Sequence, residues 1–393
     1  MIDQILDNIR KSNRLVAGGM FFFNSPGHML AESDYLLRKI IEDPQVRQRA
    51  PIVFLPPTPF STVIGDLLKI HGVAVVMDPN SHIIVRNIQL FYPELILDVG
   101  VAHFKLTTPP AARGPVCTSS HLEFAWALHR DELTAQWVRL YKLWNATPGR
   151  LPLREALAKL PGDPKFLEIL QKGKYAILQI KNSIVNGTVR LLPADYYRPT
   201  IEMLRDRGYS IILAGREPMH DEFKRYGIFN YPASPFVSPK NDFFLFNHAS
   251  LGVASPSGAG YFCDSLGIPL CQYAPWTLQP HPSPKTIMVP SRIRKRHSPG
   301  ILTFTQQIRA FLENYNEVRG PGTFNADALE DVPPSGEDLC AGACELVENS
   351  IRDSEVAREQ AAKIRSLDKG GMWESTSSTI ASTFLTSHPE YLN

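Results

Sequence analysis

The chain is short of cysteine, of net charge, of long apolar runs and of paired acidic residues, and each shortage removes a class of protein. Five cysteines in 393 residues (Cys117, Cys263, Cys271, Cys340 and Cys344) are too few for a disulfide framework and fit a reducing, cytoplasmic compartment. Cys340 and Cys344 lie four apart on an expected helix with no His or Cys pair nearby, so they read as small packed residues and not as a metal site. No apolar run reaches the roughly 20 residues that span a bilayer. The run over 15–23 follows Lys11 and Arg14 as a signal segment would, yet Asp3 and Asp7 precede it and no small-residue cleavage site follows. It is expected to be a buried first strand.

Basic side chains number 41 and acidic ones 39, a formal net charge of +2, so no global field recommends nucleic acid or an anionic membrane, and no nucleic-acid partner is expected. The local exception is Arg292-Ile-Arg-Lys-Arg-His297. A solvated loop is the expected reading; the alternative is a phosphate or acidic-headgroup contact, which would place the protein peripherally at the inner face of the membrane.

What is present is a globular composition, 44% hydrophobic and 20% charged, in a length that suits two domains. Strand and helix periodicities alternate at first. The strand over 15–23 leads through 24–28 into a helix with Met29, Leu30, Leu36, Leu37 and Ile40 on one face, then come a strand over 51–55, a helix over 64–70 and a strand over 73–77. This is the pattern of a parallel α/β sheet wrapped by helices. From 112 to 161 the pattern turns helical, with Trp126, Trp137 and Trp144, and the prolines at 148, 152, 161 and 164 mark a linker near 160–173. A second alternation follows: a strand over 175–180, a polar loop with Lys181, Asn186 and Arg190, a helix over 195–207, and a strand over 209–215 that ends in Gly215-Arg216-Glu217. The expected domains are 1–165, 170–335, and a C-terminal helix and tail over 336–393. Beyond 300 helices are expected over 302–315 and 335–367, before a Ser/Thr-rich tail.

The stretch 241–276 is the most informative. It reads as a helix over 242–249, a strand over 251–254, a Ser/Pro/Gly loop, a helix over 259–266 and a strand over 270–273. Ser255, Ser257, Gly258 and Gly260 crowd the strand-to-helix junction, where exposed backbone N–H groups and the positive end of a helix dipole suit a diphosphate. A glycine-rich turn that serves packing alone is the competing reading. Ligands of parallel sheets sit beyond the carboxyl ends of the strands, which is where Lys181, Gly215, Arg216 and the 255–260 loop fall.

On these residues the C-terminal half resembles the nucleotide-binding domain of GT-B glycosyltransferases. More closely, the chain is similar to a bacterial family of glycosyltransferases associated with surface-polysaccharide gene clusters. The resemblance is carried by Tyr196 with Leu204 and Gly208-Tyr209, by Ile211-Ile-Leu-Ala-Gly-Arg216, by Asp242-Phe-Phe-Leu-Phe246, by Ser255-Pro-Ser-Gly258 and by Leu266-Gly-Ile-Pro269, and more weakly by Gly27-His28 and Leu302-Thr-Phe304. Where that family has a His-x-Arg-like motif, this chain has Gln179-Ile-Lys181.

The resemblance implies two Rossmann-like domains facing across a cleft, with C-terminal helices. It also implies transfer of a hexosyl or deoxyhexosyl group from a nucleotide-diphosphate sugar to a glycan or other hydroxyl acceptor, the sugar nucleotide being substrate and no separate cofactor being needed. Charge gathers on the leaving diphosphate. No Asp-x-Asp triplet of the metal-using kind occurs, so neutralisation falls to Lys181, Arg216 and the helix that begins near Gly258, with no metal. An inverting transfer needs a base, for which His28 is the candidate in the loop before the expected first helix, with Glu32 one turn on to orient or replace it. A helix cap or packing role is the competing reading of His28.

His248 is expected in the core or beside a nucleobase, Glu217 and Asp221 near a ribose or in solvent, and Trp276, Gln279 and His281 in a stiff aromatic wall. Two other classes stay open: a nucleotide-sugar epimerase of GT-B shape, and an inactive nucleotide or sugar binder.

Overall fold

A computed structural model describes residues 2–18, 26–99, 105–107, 123–125, 130–181, 192–216, 219–274, 280–315, 329–348 and 353–393. The chain divides into two compact units, Met1–Pro161 and Gly162–Asn393.

In the first unit β1 (Val16–Gly18), β2 (Ile52–Leu55), β3 (Ala74–Met77) and β4 (Ile96–Asp98) form a parallel sheet in the order β3-β2-β1-β4. The chain steps outward from β1 to β3 and then returns to the other side of β1, so the winding reverses there. β1 ends at Gly18, where a Cβ would lie 2.6 Å from Ile96 Cγ2; residues 19–25 of the expected longer strand lie outside the described residues. A helix over Ile2–Ser12 precedes it, absent from the sequence reading, and lays Ile9 on a core of Val16, Ile52, Phe54, Ile84, Val85, Ile88 and Leu95.

The helix Pro26–Glu42 buries Met29, Leu30, Leu36 and Leu37 as its spacing predicts. It also buries Arg38, whose guanidinium meets Asp34 Oδ2 at 2.7 Å, Thr147 Oγ1 at 2.8 Å and the Arg150 carbonyl at 2.9 Å, and lies 3.5 Å from the Trp144 ring. So complete a set of partners is what makes a buried cation tolerable. It also ties this helix to the end of the helix Arg130–Ala146. The helical expectation over 112–161 is corrected at 123–125, where β6 (Glu123–Ala125) pairs antiparallel with β5 (Lys105–Thr107). A three-residue strand is too short to show a period. Residues 112–122 and Trp126 lie outside the described residues.

The second unit is built on a seven-stranded parallel sheet: β7 (Tyr175–Gln179), β8 (Ser210–Ala214), β9 (Phe229–Asn230), β10 (Leu251–Ala254), β11 (Leu270–Ala274), β12 (Thr286–Pro290) and, from the far C-terminus, β15 (Thr379–Ile380). Its order is β15-β12-β11-β10-β7-β8-β9. Beyond β12 the chain forms β13 (Arg292–Lys295), paired antiparallel with β14 (Leu329–Val332). The basic cluster is therefore a strand over Arg292–Lys295, where Ile293, with zero exposure, anchors it from between two arginines, and the expected exposed turn only at Arg296 and His297.

The expected helical pattern over 335–367 is two helices, Gly336–Val347 and Glu355–Leu367, the first opened by a capping box of Ser335 and Asp338. Gly342 lets that helix close on the sheet, since a Cβ there would stand 2.5 Å from Val289 Cγ2. The Ser/Thr-rich tail is structural: β15 extends the sheet, and Trp373, Phe384 and Tyr391 are buried around Phe304. No helix among the described residues is long and apolar enough to cross a membrane.

Candidate functional site

The second sheet starts at β7, builds β8 and β9 to one side, and then crosses to β10, β11 and β12 on the other. The winding reverses between β7 and β10, and a crevice opens beyond the carboxyl ends of strands at such a point. Three expected site segments fall there on adjacent strands: Lys181 after β7, Gly215 and Arg216 after β8, and 255–260 after β10. With strands spaced about 4.8 Å apart, these ends lie within about 10 Å of one another across the sheet.

Each small residue of the 255–260 segment has a distinct task. Ser255, with zero exposure, ties two strand ends together: its amide donates to the Gln179 carbonyl at 2.9 Å, and its Oγ accepts from the Lys181 amide at 3.2 Å and meets the Tyr197 hydroxyl at 2.8 Å. Burial pushes the Tyr197 phenol well up against the opposing pull of Ser255, so it stays a neutral hydroxyl. Ser257 caps the helix Gly258–Leu266, accepting from the Ala259 amide at 3.2 Å and donating to Gln179 Oε1 at 2.7 Å. Gly258 is half-buried, and its amide precedes the first hydrogen-bonded turn and points out of the helix start.

Gly260 is small for a different reason from the one expected. A Cβ there would lie 2.5 Å from His281 Cε1 and 2.6 Å from Gln272 Oε1, so this glycine makes room for two buried side chains. Its amide is bonded to the Ser257 carbonyl at 3.2 Å.

Gln179, Ala254 and Gln272 stand in one register row across β7, β10 and β11. The first helical turn rests on the two glutamines, through Ser257 on one and Gly260 on the other. Gln179 also reaches toward Gly215, whose φ of 99° only glycine adopts readily. The sequence reading treated Gln179 as a departure from a family motif and missed it as the residue that joins the two loops.

Arg216 is exposed on the turn after β8. Its charge reaches Asp242, whose carboxyl is pushed up by burial and pulled down by the Tyr231 hydroxyl at 2.7 Å and by Arg216.

His281 does not form the expected sugar wall. It is 7% exposed, its Nδ1 lies 2.5 Å from Asp264 Oδ2, and its carbonyl accepts from Thr376 Oγ1. Asp264 in turn accepts from Thr286 Oγ1 at 3.0 Å. The imidazole thus backs the helix start; Trp276 and Gln279 lie outside the described residues, as does Glu217. His248 is exposed at the end of the helix Pro239–His248 and so is neither core nor shielded, while Asp221 pairs with Lys224 at 2.6 Å on the surface.

Farther along the same edge stands a carboxyl that the sequence reading did not single out. Asp331 accepts from Ser291 Oγ at 2.6 Å and lies 3.5 Å from the Tyr273 hydroxyl. Burial pushes its pKa up to about 6 against those two bonds.

On the first unit, His28 lies in the first turn of the helix Pro26–Glu42, half-buried, and not in the loop where it was expected. Proline at the first helical position starts the helix earlier than the apolar pattern indicates. Glu32, one turn on, has zero exposure. Among the described residues no group of three or more His, Cys, Asp or Glu side chains is arranged to hold a metal ion.

No model of a known protein family matches the chain, and no curated protein does. Solved structures with a similar course include the dodecameric iron-containing heptosyltransferase TibC in complex with ADP-D-β-D-heptose, at 13% identity over 86% of this chain and 76% of that one, with a TM-score of 0.46. Escherichia coli heptosyltransferase WaaC with ADP aligns at 14% identity over 70% of this chain and 92% of its own, with a TM-score of 0.39. The glycosyl transferase family 9 protein from Veillonella parvula DSM 2008 aligns at 10% over 71% and 86%, with a TM-score of 0.37. At these values the neighbours' donors, iron and assembly are properties of those proteins, and the functional reading of this chain stands on its own site.

Proposed function

We propose that the chain is a glycosyltransferase that binds a nucleotide-diphosphate sugar at the carboxyl edge of the second sheet and passes the sugar to a hydroxyl acceptor, without a metal. The observation that carries this reading is the convergence, at the winding reversal, of a capped helix start at Gly258 with Lys181 and Arg216 on the two neighbouring strand ends. A helix N-terminus and two cations suit the charge that develops on a leaving diphosphate. The absence of an Asp-x-Asp triplet from the sequence supports neutralisation by these groups.

In this reading Gly258 supplies a backbone donor, Ser255, Ser257 and Gln179 hold the loop that presents it, and Gly215 gives the turn that carries Arg216. His28 acts as the base toward the acceptor and Glu32 orients it. The resemblance set out above supports a hexosyl or deoxyhexosyl donor and a surface glycan as product.

Gly258→Val tests the site. Nucleoside diphosphates should raise the thermal midpoint of the wild type and not that of the variant, while both apo proteins unfold at similar temperatures. Equal protection of the two proteins would remove the assignment. Product analysis separates the remaining chemistries, since a transferase releases nucleotide, an epimerase returns an isomeric sugar nucleotide, and a binder does neither.

A further inference from the structure

The basic segment at the end of the second sheet is folded into a site of its own. Arg294 on β13 is held in a two-pronged pair by Glu330 on β14, with both bonds at 2.8 Å. On the other edge of β13 the chain doubles back: Arg294 bridges Ile301, the Leu302 amide donates to the Ile293 carbonyl at 2.7 Å, and the Ser298 amide to the Lys295 carbonyl at 3.0 Å. Residues 295–300 are thereby drawn into a tight turn. His297 sits in it at a φ of 65°, in the left-handed region, which histidine enters more readily than most residues with a Cβ.

That turn borders an open cavity of about 540 Å³ lined by Arg294, Arg296, His297, Ser298, Pro299 and Glu330. Arg294 and Glu330 cancel one another. The Glu330 carboxyl is held below its ordinary range first by Arg294 and further by Arg296 and His297, so all four groups act on the same space. Arg296 and His297 are exposed, and Arg296 leaves the lining with an excess of positive charge.

We infer that this cavity binds a phosphate-bearing anion, held by Arg296 and His297, and that Glu330 limits the affinity by occupying Arg294. The planar fork of arginine matches a phosphate in two places at once. The site is separate in sequence from the strand ends at Lys181, Arg216 and Gly258, and it does not depend on what those bind. The phosphate could be free or carried on a lipid headgroup.

The test uses the full chain with Gly258→Val, so that the other anion site is silent, and two probes: calorimetric titration with inorganic pyrophosphate, and co-sedimentation with phosphatidylcholine vesicles with and without phosphatidylglycerol. Binding is expected in at least one arm. It should weaken about tenfold in Arg296→Ala, the size of a lost charge-assisted hydrogen bond, and strengthen several-fold in Glu330→Gln, which frees Arg294 and removes the carboxylate. A purely structural Arg294–Glu330 pair predicts no such gain. Pyrophosphate binding alone identifies a free phosphate, vesicle binding alone a headgroup, and both a site that takes either. Absence of binding in both arms overturns the inference, as does binding that Arg296→Ala leaves unmoved or that Glu330→Gln fails to raise.

Discussion

Gly260→Ala separates two meanings of a glycine beside a candidate phosphate site. If the residue is small to let a ligand approach, alanine should cost affinity and leave the apo protein intact. The structure points the other way. The new methyl would lie 2.5 Å from His281 Cε1, 3.1 Å from His281 Nε2 and 2.6 Å from Gln272 Oε1. Comfortable carbon contacts are about 3.5–4.0 Å, so the overlap is about 1 Å with each neighbour. His281 is pinned by Asp264 at 2.5 Å and cannot turn away cheaply, while Gln272 is 5% exposed with little room to move. Overpacking of this kind costs about 1–3 kcal/mol. Against it stands a gain of up to about 1 kcal/mol from replacing glycine inside a helix. The net expectation is a loss of about 1–2 kcal/mol in the apo protein, or about 2–8 °C in the midpoint of a domain this size. Denaturation of wild type, Gly260→Ala, Gln272→Ala and the double variant measures it, and the double variant should recover part of the loss. An apo Gly260→Ala protein as stable as wild type, but unable to bind nucleotide, would refute the packing account.

Asp331 gives a pH prediction. Its carboxyl ionises near 6 in the fold against an ordinary 3.8, so the folded state favours the protonated form; that stability is complete below the unfolded value and is lost as pH rises through about 6. The difference amounts to at most about 3 kcal/mol, and Asp331→Asn should flatten the slope of stability between about pH 4 and 7; an unchanged slope would assign it to other groups. If Arg216 neutralises a leaving diphosphate, turnover should fall in part in Arg216→Lys, which keeps the charge and loses the fork, and further in Arg216→Ala, with little change in folding. Full activity in both would leave Arg216 as the partner of Asp242 alone. His28→Ala should lower turnover by about 10² to 10⁴ with nucleotide affinity near wild type and the neutral limb of the pH profile gone; a preserved rate, or a product with the donor's anomeric configuration, would remove His28 from the base role. Turnover should also survive excess chelator, and a complete loss restored by added metal would contradict neutralisation by side chains and backbone alone.

The central strands were legible in the sequence because they are continuous apolar runs bounded by glycine, proline and polar residues, as β7, β8, β10 and β11 show. Strands of two or three residues, such as β9, β15 and β6, carry no period at all. The Ser/Thr-rich tail around Thr379 carried no structural expectation for a related reason: its composition hides Trp373, Phe384 and Tyr391, which are buried, and only the tertiary pairing of β15 with β12 makes it core. At the site, the strand-to-helix junction could be located from small residues, but the division of labour within it could not. Ser255 as a tie depends on Tyr197, 58 positions away, Ser257 on Gln179, 78 positions away, and Gly260 on His281, 21 positions on. Gln179 and Asp331 lacked any sequence signal, since a lone glutamine in a strand and a lone aspartate near a loop are common; only register and burial single them out. His281 shows the reverse error, a residue marked for the site that is committed to Asp264.

The most direct measurement of the central claim is calorimetric titration of the full chain with ADP, GDP, UDP and CDP and their sugar derivatives, repeated in Gly258→Val. The account predicts that at least one nucleotide diphosphate binds with a stoichiometry of about one under conditions where the matching monophosphate binds far more weakly, and that Gly258→Val abolishes it. Binding that survives in Gly258→Val, or no binding of any nucleotide diphosphate to the wild type, would contradict the assignment of the β7–β10 reversal as a nucleotide-sugar site.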